Sequence, residues 1–461
     1  MSREKRARFS ASFRSQPSLL ALAKERQQKQ QEQVSLSSLH SLARWSELPL
    51  ELVVTIAAFL PARERPRIYL VCRRWSEAAH VPSLWSSNWM TLKPNLFKLP
   101  PHFWEVMRSR FLHKVKLQGY TLSDQNRLGS DLLLLSSTAL HLTALHIDCG
   151  GKLDSKIFKH VLNFKNLTEL KLDFLKCLYT STSIEIMGHL VLKDLPHLES
   201  LSLVGVVDIA HFDDTRFLSH PTLSLLSLDT CGSLKAVTTN NLISHFPQLK
   251  KLVIKNCVFY YSFIAEEKTP RNLAPCLKDV SLIRTSFNGS WCKFPSWFRG
   301  LESLNLFFCK QEHVQLSNVL SQLTNLTSIN LAGNFCSNET LKYISSPFLK
   351  SLDLSYNQDV SIEGLYYLSS VARDTLKELS LSHCSRLVSK REEAREILPQ
   401  LFPNLEKMNL SGWNLASYKI KTLLLQCPHL LQLHCDNNSK EDHTFHSNHF
   451  NSTSQTKIYC S

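Results

Sequence analysis

The chain has 13 cysteines and not one CxxC pair. They are scattered singly and odd in number, so neither a disulfide framework nor a zinc ribbon or RING-type site is readable, and reduced thiols of the cytosol or nucleus fit best. No apolar run approaches the roughly 20 residues that a membrane span needs, and the N-terminus lacks the apolar core of a secretory signal. A membrane is therefore not an expected partner. There is no GxxxxGKS phosphate loop, no HExxH and no GxSxG elbow, and no cysteine sits among the charges that would activate its thiol. No catalytic residue, resident metal or cofactor is expected. The formal charge is +14, but residues 1–45 alone hold nine Lys or Arg against three Glu. The remainder is spread thinly, without the basic stripe interleaved with aromatics that a polynucleotide groove requires.

What the chain does have is repetition. Its 461 residues, 43% of them apolar, are enough to bury a large core. Segments of the form L-x-x-L-x-L-x-x-N/C recur: LSLLSLDTC at 223–231, LKKLVIKNC at 249–257, LESLNLFFC at 301–309, LTSINLAGN at 326–334, LKSLDLSYN at 349–357 and LKELSLSHC at 376–384. Looser copies start at Leu112, Leu142, Leu167, Leu198, Leu277, Leu405 and Leu430, giving thirteen in all at spacings of 23 to 31 residues. The two central apolar residues of each copy, such as Leu352 and Leu354, alternate with polar neighbours as in a short strand with one buried face. The ninth position takes Asn or Cys because the chain turns there, and an inward side chain must fit a tight stack or bond free backbone groups of the next turn. Cys231, Cys257, Cys309 and Cys384 then need no redox role. A second apolar stretch at helical spacing follows, as in LYYLSSVA at 365–372. One strand and one helix cannot bury their own apolar faces, so neighbouring units must stack into a solenoid.

These repeats resemble the cysteine-containing leucine-rich-repeat family over residues 105–438, which implies an inner parallel sheet backed by helices. Two stretches depart from the pattern. VFYYSFIAEEKTPRNLAPC at 258–276 has no clean helix pattern, and 287–300 places Trp291, Phe294, Trp297 and Phe298 where a helix or loop should be short.

Ahead of the repeats lies LPLELVVTIAAFLP, residues 48–61. Ser46 is read as a helix N-cap with Pro49 just inside. Leu52, Ile56, Phe59 and Leu60 then share one face, and in a third amphipathic piece Leu70, Val71, Trp75 and Ala78 share another. About 45 residues in three short helices make a marginal independent core that leans on a partner. Residues 45–90 resemble an F-box, through Leu48, Pro49, Glu51, Leu52, Ile56, Leu60, Pro61, Leu70, Val71, Cys72, Arg74, Trp75 and Trp85. Arg65 and Pro66 depart from it, standing where the family usually has apolar residues and shortening the second helix.

The fold class expected is therefore α/β: a three-helix F-box followed by a leucine-rich-repeat solenoid. The domains expected are a disordered basic tail at 1–44, the F-box at 45–90, a linker or cap at 91–104, the solenoid at 105–438 and a disordered C-terminal tail at 439–461. His443, His446 and His449 fall in that last tail, where nothing fixes a ligand geometry. The resemblance implies a non-catalytic substrate receptor of a Skp-cullin-F-box ubiquitin ligase in cytoplasm or nucleus. The box would dock the Skp adaptor, and through it a cullin and a RING protein, while the repeats hold an unidentified protein substrate. Two other classes stay open: an F-box scaffold or sequestering protein without ligase output, and a basic nuclear repeat protein whose N-terminal tail contacts nucleic acid.

The third, fifth and seventh positions of each copy are expected to point to the concave face. Its middle combines Lys251, Lys255, Arg284, Phe307 and Phe308, the cationic and aromatic mixture of a binding hot spot, and these five are the expected substrate contacts.

Overall fold

The computed structural model describes residues 45–60, 64–81, 83–86, 89–99, 113–121, 124–149, 159–173, 195–205, 220–231, 233–235, 246–260, 275–288, 300–311, 313–436 and 457–460. The N-terminal tail, Pro61, Trp291, Phe294, Trp297, Phe298 and the three C-terminal histidines lie outside them. The chain divides into two compact units, 1–84 and 85–461.

In the first unit, helix α1 spans Leu50–Ala58 and α2 spans Arg73–Ala79. Between them Arg65–Leu70 forms a 3₁₀ run, the shortened second helix that Arg65-Pro66 predicts. Pro49 is the N-cap of α1 rather than its first residue, with ψ at 144°, and no side chain caps this end. The core is Val53, Ala57, Ile68, Trp75, Ala78, Ala79 and Leu84. The expected shared face of Leu70, Val71, Trp75 and Ala78 does not form, because α2 begins only at Arg73. Helical periodicity cannot carry from Leu70 to Trp75, so Leu70 and Val71 are exposed while Trp75 and Ala78 are buried.

Arg65 is the main surprise of this unit. Its guanidinium is buried and donates to the carbonyls of Ala58 and Leu60 at 3.0 Å each, and to that of Leu84. Two of these belong to the C-terminal end of α1, where the last carbonyls lack helical partners and the helix dipole favours a cation. A charge at a site read as apolar therefore serves as the helix's C-terminal cap.

The second unit is a parallel sheet of 15 strands among the described residues. In chain order its strands are β1 (Trp89–Leu92), β2 (Lys114–Tyr120), β3 (Ala144–Cys149), β4 (Glu169–Asp173), β5 (Ser200–Val204), β6 (Leu225–Asp229), β8 (Lys251–Lys255), β10 (Asp279–Ile283), β12 (Ser303–Asn305), β13 (Ser328–Asn330), β14 (Ser351–Asp353), β15 (Glu378–Ser380), β16 (Lys407–Asn409), β17 (Gln432–Cys435) and β18 (Lys457–Cys460). A second, three-stranded parallel sheet joins β7 (Ser233–Lys235), β9 (Val258–Tyr260) and β11 (Ser286–Asn288). Of its strands, β9 lies in the first stretch that departs from the repeat pattern and β11 runs into the second.

Two limits of the sheet differ from expectation. Trp89–Leu92 pairs with Lys114–Leu117, so the sheet starts inside the segment assigned to the F-box. Lys457–Cys460 pairs with Gln432–Cys435 as a further strand, so the last residues are not all a tail. This strand carries no repeat motif, and its pairing rests on backbone bonds and on Tyr459 stacking over His434 at 4.6 Å.

Helices back the later repeats: α3 (Gln125–Thr138) early, then α4 (His313–Leu320), α5 (Asn338–Lys342), α6 (Ile362–Ala372), α7 (Ser385–Ser389), α8 (Arg391–Leu401) and α9 (Ser417–Gln426). Leucines at the first, fourth and sixth repeat positions join one continuous core that runs from Leu92 to Cys435. Each fully buried side chain contributes about 1.5–3 kcal/mol, so no repeat is stable alone and the stack is.

Candidate functional site

In the first unit the F-box residues separate into two sets. Trp75 is a core residue whose indole N–H donates to the Trp45 carbonyl at 2.9 Å, so its ring belongs to the unit's own core. Leu48, Ile56, Leu60 and Cys72 are half-buried, as is Trp85 at the start of the second unit, and Pro49 and Glu51 are exposed. Leu52 and Val71 are exposed, and Phe59 and Leu70 reach 85% and 86% exposure. Trp45 is exposed as well, and a unit this small that leaves five large apolar side chains in water has an unfinished surface, the mark of an interaction site.

In the second unit the polar face is organised by repeat position. A groove of about 480 Å³ runs across the strands, lined among others by Lys251, Asp279, Asn305, Asp353, Glu378 and Lys407. Most of its charge is already matched. Lys251 bonds Asp279 at 2.7 Å on the strand in register with it, Lys407 bonds Glu378 at 2.5 Å, and the Ser351 hydroxyl donates to Glu378 at 3.1 Å. The fifth position is occupied structurally too. Side-chain oxygens of Asn305, Asn330, Asp353 and Asn409 accept the N–H two residues on, from Phe307, Ala332, Ser355 and Ser411, at 2.9 to 3.1 Å. These Asx-type bonds end the strands.

The turn that follows is built alike in nine consecutive repeats. Its eighth position is left-handed at Gly205, Thr230, Asn256, Arg284, Phe308, Gly333, Tyr356, His383 and Gly412, with φ between 49° and 86°. Six of these nine are not Gly, and each of those costs on the order of 1–3 kcal/mol. Two bonds offset that cost. The eighth N–H donates to the seventh carbonyl of the next repeat, as from Arg284 to Phe307 and from Tyr356 to Ser382 at 2.8 Å. The ninth side chain reaches the sixth carbonyl of the preceding repeat: Cys231 to Leu203, Thr285 to Ile254, Cys309 to Leu282, Asn334 to Leu306, Asn357 to Leu331, Cys384 to Leu354 and Trp413 to Leu381. The sulfurs act as buried donors. Burial pushes the Cys309 and Cys384 thiols up to about 12, which keeps them protonated and unreactive.

Because the eighth residue turns outward, its side chain lies along the ends of the strands. Phe307 and Phe308 meet at 4.6 Å between ring centroids, Phe308 and Tyr356 at 5.5 Å, and Tyr356 stacks on His383 at 4.9 Å. Gly333 lies under Phe308, where an added Cβ would come 2.6 Å from the ring. Phe335 stands exposed on the same edge, as do Arg284 and Lys310. Of the five expected contacts, Lys255, Arg284, Phe307 and Phe308 thus come together at the strand ends. Lys251 lies apart at a strand start, paired with Asp279. Phe335, Tyr356, His383 and Lys310 belong to the same edge and were not expected there, because past the seventh position the sequence reading singles out only Arg284 and Phe308. The eighth-position alignment of Arg284, Phe308, Tyr356 and His383 was the available signal. A cleft of about 730 Å³ lined by His383, Ser385, Lys390 and Arg391 continues from the edge.

At the other end of the face, His146 packs edge-on to Trp89 at 6.5 Å between centroids and has a buried Nε2 without a partner. Burial, then Lys171 and Lys116, lower its pKa to about 4, so the ring is neutral. Among the described residues no group of three His, Cys, Asp or Glu is placed to hold a metal ion, and no helix is long and apolar enough to cross a membrane.

The F-box-like family model matches residues 45–90. Over 54 residues the chain is 44% identical to F-box/LRR-repeat protein 21 of Bos taurus, which is 11% of this chain and 12% of that protein. F-box/LRR-repeat protein 12 of Homo sapiens is 24% identical over 261 residues, 54% of this chain and 73% of that one. The stretch matched in the bovine relative is thus a small fraction of its length. Among solved structures, a chain in the crystal structure of the Rad7 and Elc1 complex in yeast is 14% identical with a TM-score of 0.42, covering 92% of this chain and 94% of that one. A Listeria monocytogenes internalin gives 17% and 0.40, covering 79% and 88%. At these scores neither likeness bears on what the chain binds. The matched box and the parallel-strand solenoid behind it in sequence identify an F-box/leucine-rich-repeat protein.

Proposed function

We propose that the chain is the substrate-recognition subunit of a Skp-cullin-F-box ubiquitin ligase, acting in cytoplasm or nucleus. The observation that carries this reading is the exposed apolar set Leu52, Phe59, Leu70 and Val71 on a unit with a small core of its own. A Skp-type adaptor covers these side chains and brings in the cullin and its RING protein. The repeats hold the substrate, and the chemistry belongs to the ubiquitin-conjugating enzyme that the complex recruits. What the receptor contributes is effective concentration, which makes an otherwise bimolecular transfer nearly intramolecular.

The contrast between exposed and buried residues gives a clean test. Phe59→Asp combined with Leu70→Asp changes residues that are already in water, so the melting temperature stays put while capture of a purified Skp adaptor falls by more than about 100-fold. Adaptor capture that survives this pair of changes rules the reading out. Stabilisation of a bound partner after depletion of the chain separates a ligase receptor from an F-box scaffold, which would leave partner turnover unchanged.

A further inference from the structure

We infer that the strand-end edge from Lys255 to His383 is a docking rail for an extended acidic peptide segment, gripped by Lys255, Arg284 and Lys310 and stacked against Phe307, Phe308 and Tyr356. This rests on the receptor reading only in taking that segment to be part of the substrate.

Charge points to the occupant. Through the repeats that start at Leu249, Leu277, Leu301, Leu326, Leu349 and Leu376, the seventh, eighth and tenth positions hold three cations and no Asp or Glu. Among the described residues none of Lys255, Arg284 and Lys310 is in an ion pair, whereas Lys251 and Lys407 in the neighbouring groove are. The groove has met its own electrostatic needs and the edge has not. The rings supply the apolar half of a hot spot, since aromatic and cationic side chains side by side dominate interface energies.

Size and geometry agree. Five steps between neighbouring strands at ~4.8 Å span ~24 Å, the length of about seven extended residues. The edge is held in place, because backbone bonds clasp each turn and the ninth side chains clasp five of the six. A flexible segment therefore finds fixed rings and charges at little cost in ordering the receptor. A polynucleotide fits less well. Its affinity scales with the number of phosphates neutralised, and three cations neutralise few.

The test is fluorescence anisotropy on the full chain with three labelled probes: a decapeptide of glutamates carrying two phenylalanines, its counterpart with lysines for glutamates, and a ten-nucleotide oligo(dT). The acidic peptide is expected to bind at least ~10-fold more tightly than either of the others. Arg284→Glu with Lys310→Glu, and separately Phe308→Ala with Tyr356→Ala, should each weaken it at least ~10-fold, while Lys251→Ala in the groove leaves it unchanged. Equal binding of the acidic and basic peptides, tighter binding of the oligonucleotide, or full affinity in both double variants overturns the inference. Melting temperature and adaptor capture are read on the same samples. Peptide binding without adaptor capture sinks the receptor reading and leaves the rail standing, and adaptor capture without acidic selectivity does the reverse.

Discussion

From Glu169 to Ile283 the strands of the main sheet run five residues, and from Ser303 to Asn409 they run three, although both stretches bury the same leucine frame. The fifth position makes the difference. In the longer strands it is Lys171, Ser202, Ser227, Val253 or Ser281, whose side chains leave the N–H of the seventh residue to the ladder. In the shorter ones it is mostly Asn or Asp, whose oxygen takes that N–H and releases the chain from the sheet. The early half therefore presents ordered strand as far as its Lys and Asp residues. The later half turns sooner, places aromatics on the outgoing turn, and is backed by six of the seven helices named for this unit. One polar atom per repeat decides how far the sheet extends and where the turn begins.

The two halves differ most in stability at the ninth position. Asn357 donates to Leu331 and Leu354 and accepts from the Cys336 N–H, whereas Cys231 makes longer sulfur bonds. Asn357→Leu is expected to cost about 3 kcal/mol in urea unfolding, because several buried backbone groups lose their partner at once. Cys231→Ala should cost about 1 kcal/mol.

Gly333→Ala comes next, at about 2 kcal/mol, from left-handed strain and from the Phe308 ring in its way. Adding Phe308→Ala should recover the steric part of that loss, and no recovery in the double variant would mean the ring is not the obstacle.

Smaller effects separate the halves by pH. His146 in the early half has its folded pKa depressed to about 4, so an unfolded chain binds the proton first. Stability from this site is present above about pH 6.5 and is lost as pH falls toward 4. Cys309 and Cys384 in the later half have raised values, so their contribution is intact below about pH 8.5 and is lost as pH climbs toward 12. Urea midpoints measured across this range should flatten on the acid side in His146→Phe and on the alkaline side in Cys309→Ser with Cys384→Ser.

The fifth position itself carries the mildest change. Val253→Asn should change stability by less than about 1 kcal/mol and transfer the Lys255 N–H from the ladder to a side chain, while Asn305→Val does the reverse at Phe307. Hydrogen exchange at those two amides is the measurement, and unchanged protection in both variants removes the fifth position as the cause.

Much of this frame was legible from the repeat pattern, since leucines at fixed spacing can be buried in only one way and the ninth Asn or Cys announces a turn. The left-handed eighth position was not, because Thr, Asn, Arg, Phe, Tyr and His occupy it and only three glycines mark it. Strand β18 was hidden in a polar stretch without leucines, and its pairing is a long-range backbone event that no local pattern records. At the front of the chain, the cap made by Arg65 depends on three carbonyls that only folding brings together. For the candidate site, four of the five expected residues assemble at the strand ends. The aromatic neighbours were missed because strand alternation says nothing about where a side chain points once the strand has ended.

The arginine buried among the ends of the front helices has one more implication. Its cationic head holds carbonyls from α1 and from Leu84, so the unit's closing element and its first helix share a single pin. Replacing it with a leucine, which looks like a return to family type, would add grease and subtract the clasp. A change that brings the chain nearer to its relatives on paper should loosen the apolar surface proposed to meet the adaptor.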